Sequence, residues 1–90
     1  MIRLVFRGGR ILVANQQSGT VSRLDPVAGR ETGSVRLGGS PESVVISPDG
    51  RRAYVTEWFA DAVAVLDLEG LSVLARIPVG TGPRTMALVP

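Results

Sequence analysis

Ninety residues carry 44% apolar and 20% charged side chains with a formal net charge of +2, a globular balance that excludes a disordered chain. Cysteine and histidine are both absent, which excludes disulfides, thiolate or imidazole metal sites and every nucleophile–histidine arrangement. The ten cations are all arginine, spread from Arg3 to Arg84 with only Arg51 and Arg52 adjacent, so no basic patch for nucleic acid is built.

Short runs rich in β-branched residues, separated by Gly, Pro, Asp and Ser, predict strands and no helix. In chain order they are expected near 2–6, 10–15, 20–25, 33–37, 42–47, 52–57, 62–67, 73–79 and 84–89. Met1 to Phe6 begins like the charged start of an export signal, but Arg7-Gly8-Gly9-Arg10 interrupts any apolar core, so neither a signal nor a membrane span is expected in these residues. Between the fifth and sixth strands lies Ser47-Pro48-Asp49-Gly50. Pro48 presets the first turn position, Asp49 suits the second, and Gly50 can take the left-handed conformation that closes a hairpin.

Displacing the chain by 42 residues superposes it on itself without a gap: Arg10 falls on Arg52, Val13 on Val55, Val21 on Val63, Leu24 on Leu66 and Asp25 on Asp67. Further on, Gly38 falls on Gly80, Pro41 on Pro83 and Pro48 on Pro90. A period of this length is that of a four-stranded propeller blade. The expected architecture is therefore all-β, with antiparallel four-stranded β-propeller blades. Residues 1–90 form one segment, repeat one over 1–42 and repeat two over 43–84, with an extra inner strand at 84–89.

Arg52-Ala53-Tyr54-Val55-Thr56-Glu57 after Ser-Pro-Asp-Gly resembles the YVTN family β-propeller repeat. So do Ile11-Leu12-Val13-Ala14-Asn15, Gly19-Thr20-Val21 and Leu24-Asp25-Pro26, and the stretches 35–41 and 77–83 resemble that family's blade-to-blade connection. The resemblance implies a repeat scaffold with relatives in periplasmic, secreted and cell-surface settings, and it implies nothing specific about a ligand. Two positions depart from the pattern. Glu57 stands where the motif has Asn, and Arg23 stands where the second copy has the apolar Val65. Arg23 is expected either on an open end face of the array or as a paired arginine inside a blade interface.

The expected functional surface is the face where the second-to-third strand loops meet the blade-to-blade loops, over 15–20, 38–42, 57–62 and 80–84. Trp58 and Phe59 are candidate partner contacts or blade-end staples. Gln16 and Gln17 fill the same loop in the first copy, and Glu42 and Arg84 are candidate rim charges at the channel mouth, or else solvated loop charges. Asp25 and Asp67 read as turn caps. The carboxylates show no calcium-loop spacing and the glycine loops lack a following Lys-Ser/Thr, so no catalytic, metal or cofactor residue is expected. The reading is a noncatalytic scaffold or binding module for a protein or small ligand, with a piece of a lactonase-like or redox-cofactor-associated propeller enzyme as the alternative. Closed propellers have about four to eight blades. Two blades are therefore expected to be part of a larger propeller, or less favourably to self-associate into an even-bladed ring.

Overall fold

The computed structural model describes residues 2–7, 10–38 and 40–80, with side chains from Ile11 onward. The strands are β1 (Ile2–Arg7), β2 (Arg10–Asn15), β3 (Thr20–Asp25), β4 (Arg30–Arg36), β5 (Pro41–Ile46), β6 (Arg52–Glu57), β7 (Ala62–Asp67) and β8 (Ser72–Pro78). They form two antiparallel sheets in sequential order, β1-β2-β3-β4 and β5-β6-β7-β8, each one four-stranded blade. The strand expected at 84–89 lies outside the described residues.

The 42-residue period survives in detail. The Leu37 amide donates to the Gly19 carbonyl at 2.7 Å, and the equivalent Val79 amide donates to Asp61 at 2.9 Å. Register breaks between Arg23 and Leu24 in the first sheet, and between the equivalent Val65 and Leu66 in the second. The unpaired residues are Thr32 and Leu74, again one period apart, and each such bulge adds local twist. Gly19 and Gly29 have φ of +69° and +70°, and their equivalents Asp61 and Leu71 hold φ of +49° and +52°. The turn geometry is thus kept even where the second copy has lost its glycine.

Strand β4 begins at Arg30, three residues before the expected 33. The reason is local. Asp25 Oδ1 accepts from the amides of Val27 at 2.8 Å and Ala28 at 3.1 Å, and the Gly29 amide returns to the Asp25 carbonyl at 2.8 Å. The chain therefore reverses within four residues and pairing resumes at once. Strands β5 and β8 each start one residue earlier than expected.

Alternation along the strands sets the faces. One face of the first sheet carries Leu12, Ala14, Val21 and Arg23. It meets the face of the second that carries Val44, Ile46, Ala53, Val55, Ala64 and Leu66. These apolar residues, with Leu37 and Leu68, form one buried cluster. Leu12, Val55 and Leu66 are fully buried, and side chains of this size stabilise by about 1.5–3 kcal/mol each when buried. The blades thus stack face to back, so each exposes the face its neighbour uses. Contacts between β1 and β5 and between β2 and β5 run along the inner edge.

Candidate functional site

The inter-blade linker and the turns after β2 and β6 gather at one end of the blades, as the repeat predicts. The Trp58 amide donates to the Ser40 carbonyl at 2.9 Å, and the Gln16 side-chain amide donates to Glu42 Oε2. That last contact joins the β2–β3 turn of the first blade to the inner strand of the second. Glu42 is half-buried and bonded rather than a solvated loop charge. Gln17 is exposed and its backbone amide donates to Asn15 Oδ1 at 3.2 Å. Arg84, the proposed partner rim charge, lies outside the described residues.

Trp58 and Phe59 stack with ring centroids 4.8 Å apart and planes 28° from parallel. Trp58 is half-buried against the blade end, whereas Phe59 is 76% exposed. The pair therefore combines a structural member and an open one. Phe59 presents an aromatic surface that the blade does not use.

Beneath this end sits a charged element that spacing alone does not reveal. Glu57 is fully buried at the end of β6. Its Oε1 accepts from Arg76 Nε at 3.0 Å, and Arg76 Nη2 donates to the Leu37 carbonyl at 2.7 Å. One arginine thus ties β8, β6 and the strand leaving the first blade. Glu57 Oε2 is buried without a hydrogen-bond donor, an arrangement that costs free energy and persists only because the rest of the pair compensates. Glu57 and Arg76 are the repeat equivalents of Asn15 and Ser34. The two charges replace two neutral residues on one face, and that joint departure is the signal by which the pair was detectable.

Arg23 resolves as the paired arginine. From β3 it crosses to the second blade, where Nη1 donates to the Leu68 carbonyl and, at 3.2 Å, to the Glu69 carbonyl. Its Nε donates to Thr32 Oγ1 at 3.0 Å. Gly33, the direct cross-strand partner of Arg23 on β4, leaves the space that Leu71 fills, since a Cβ there would lie 3.0 Å from Leu71 Cδ2.

Asp25 and Asp67 cap their turns as expected, Asp67 through the amides of Glu69 at 3.4 Å and Gly70 at 3.2 Å. The Ala28 and Val27 amides hold the Asp25 carboxyl below the ordinary value. The Ser47 hydroxyl and then the Arg51 amide do the same for Asp49, whose bond to Ser47 Oγ is 2.6 Å. Among the described residues no group of three or more Asp or Glu side chains is placed to hold a metal ion, and no helix is long and apolar enough to cross a membrane.

No family model matches the chain. A 41-residue stretch is 51% identical to the PE-PGRS family protein PE_PGRS18 of Mycobacterium tuberculosis, covering 46% of this chain and 9% of that protein. Among solved structures, the chain is similar to hydrazine synthase of Kuenenia stuttgartiensis, with TM-score 0.83 and 29% identity over 91% of this chain and 23% of that one. It is also similar to the dihydro-heme d1 dehydrogenase NirN in complex with DHE, with TM-score 0.78 and 25% identity over 91% and 19%. Apo AztD from Citrobacter koseri gives TM-score 0.74 at 20% identity over 87% and 23%. The chain thus spans less than a quarter of each of these proteins. Joined to the two stacked four-stranded sheets, the similarities show an all-β segment of β-propeller blades.

Proposed function

We propose that the chain is a noncatalytic propeller scaffold, kin to the YVTN repeats, whose loop end binds a protein or small ligand. The single observation that carries this reading is Phe59: a ring stacked on Trp58, 76% exposed, at the end where both blades converge. Large aromatics of this kind act as contact anchors because they bury much area at little conformational cost. Gln16 and Glu42 supply a bonded polar rim beside them, and Gln17 an exposed amide. An extracytoplasmic setting belongs to the same reading.

Trp58 is the one tryptophan, so its fluorescence reports an occupant at the loop end directly. Titrating a panel of sugars, nucleotides and peptides should find a ligand that shifts Trp58 emission and binds Phe59→Ala at least tenfold more weakly. A ligand that binds the variant equally well would move the site elsewhere.

The second reading, a piece of a propeller enzyme, is favoured by the similarity to hydrazine synthase and to NirN. It places the reacting groups on blades beyond these two. Catalysis by the isolated 90-residue chain would contradict both readings.

A further inference from the structure

The stacking leaves two sheet faces without a described neighbour, and the repeat identifies what each of them matches. The open face of the second blade carries Tyr54, Val63, Val65, Ala75 and Ile77, of which Val65 is already buried while Ala75 and Ile77 are exposed. These are the equivalents of Leu12, Val21, Arg23, Gly33 and Val35, which meet the second blade inside the chain. The open face of the first blade carries Ile11, Val13 and Leu24, equivalents of the buried Ala53, Val55 and Leu66. Exposure follows suit. Val35 packs against the core cluster, whereas Ile77 is 50% exposed. A groove of about 290 Å³ opens on the first blade, lined by Ile11, Leu24, Pro26 and Gly29 and rimmed by Asp25, Arg30 and Glu31. In the second blade the equivalent place receives Arg23 and packs Leu71 on Gly33.

From this continuity we infer that the open face of the second blade docks head to tail on the groove of a second copy of this chain, repeating the internal interface. The inference rests on the blade reading and names its partner. Two compensated exchanges favour a copy as the occupant. Inside the chain, Gly33 makes room for Leu71; between copies the same pair becomes Ala75 and Gly29, and a Cβ at Gly29 would meet nothing within 4 Å. The added methyl on one side thus meets open space rather than a clash on the other. Likewise the long Arg23 opposes a face with the small Ala53, whereas the shorter Val65 would oppose one with the larger Ile11. The polar contact of Arg23 with the Leu68 and Glu69 carbonyls has no polar counterpart between copies, where Pro26 and Val27 would meet the apolar surface around the buried Val65. It would cover Val27, which is 97% exposed. Such a heterologous contact closes rings only of even blade number, three copies giving six blades and four giving eight.

The experiment is sedimentation of three chains over a concentration series: the full chain, Val27→Asp and Ala75→Glu. Both substitutions are at exposed positions, so each variant should keep the wild-type circular dichroism and melt. The full chain should associate into trimer or tetramer, and each variant should do so at least tenfold more weakly. An equimolar mixture of the variants should give a one-to-one heterodimer, because each retains one intact half of the interface. A full chain that stays monomeric while melting cooperatively would overturn the inference and leave the blade reading standing. Variants that associate like wild type would overturn it too. A full chain without cooperative β structure would instead defeat the blade reading itself.

Discussion

The two blades hold the same backbone with different chemistry. At the position where the first has Arg23, crossing to its neighbour's turn, the second has Val65. Where the first has the neutral Asn15 and Ser34, the second pairs the buried Glu57 with the partly exposed Arg76. Where the first uses glycine at positive φ, at Gly19 and Gly29, the second uses Asp61 and Leu71. The lesson is that the period fixes backbone geometry while the side chains on it differ, with Arg23 and Arg76 each finding carbonyl partners across the blade boundary.

Transplanting residues between the blades breaks or sharpens that comparison. The largest effect is expected from Arg76→Ser, which leaves a carboxylate buried at 0% exposure. Breaking a buried pair from one side costs about 3–5 kcal/mol. The Arg76 side chain is 44% exposed and water can partly replace it, so about 2–4 kcal/mol is expected by urea denaturation. The double variant Glu57→Asn with Arg76→Ser restores the neutral pair of the first blade and should recover most of that loss. Equal losses in the single and double variants would show that the pair acts through packing alone.

Arg23→Val gives the first blade the residue of the second. It removes the donors to the Leu68 and Glu69 carbonyls and should cost about 1–2 kcal/mol, since each net hydrogen bond contributes about 1 kcal/mol. A stabilised variant would mean that the crossing arginine is tolerated rather than used.

The smallest effect is that of pH. Asp25 and Asp49 both have depressed carboxyls through bonds to their own turns. A group depressed in the folded state stabilises above its unfolded value, about 3.9, and this is lost as pH falls through the lower folded value. Stability should therefore be level above about pH 5 and decline below about pH 4, with Asp25→Asn and Asp49→Asn each reducing the slope. Both turns are solvated, so the slope is shallow.

Much of the fold was legible because its signals are local and repeated. Strands β2, β3, β6 and β7 were bounded correctly by alternation between turn residues, and the period assigned four strands to each blade. Strand β4 starts three residues earlier than the sequence pattern predicts, because the Asp25 cap reverses the chain so quickly that pairing resumes at Arg30. At the loop end, the position of Trp58 and Phe59 was visible in the register, but their division into one half-buried and one exposed ring depends on three-dimensional packing. The link from Gln16 to Glu42 spans 26 residues and joins two blades, so no window along the chain contains it. Glu57 was visible as an oddity and Arg76 was not, because Arg76 looks ordinary in an edge strand until its equivalent is seen to be Ser34.

The central claim is that the blades stack face to back in one register, and the contact of Gly33 with Leu71 tests it most directly. In the nuclear Overhauser spectrum of the 90-residue chain, the Leu71 methyl groups should show strong cross-peaks to the Gly33 α-protons, which lie in the other sheet. Two folded sheets with no such cross-peak would contradict the account.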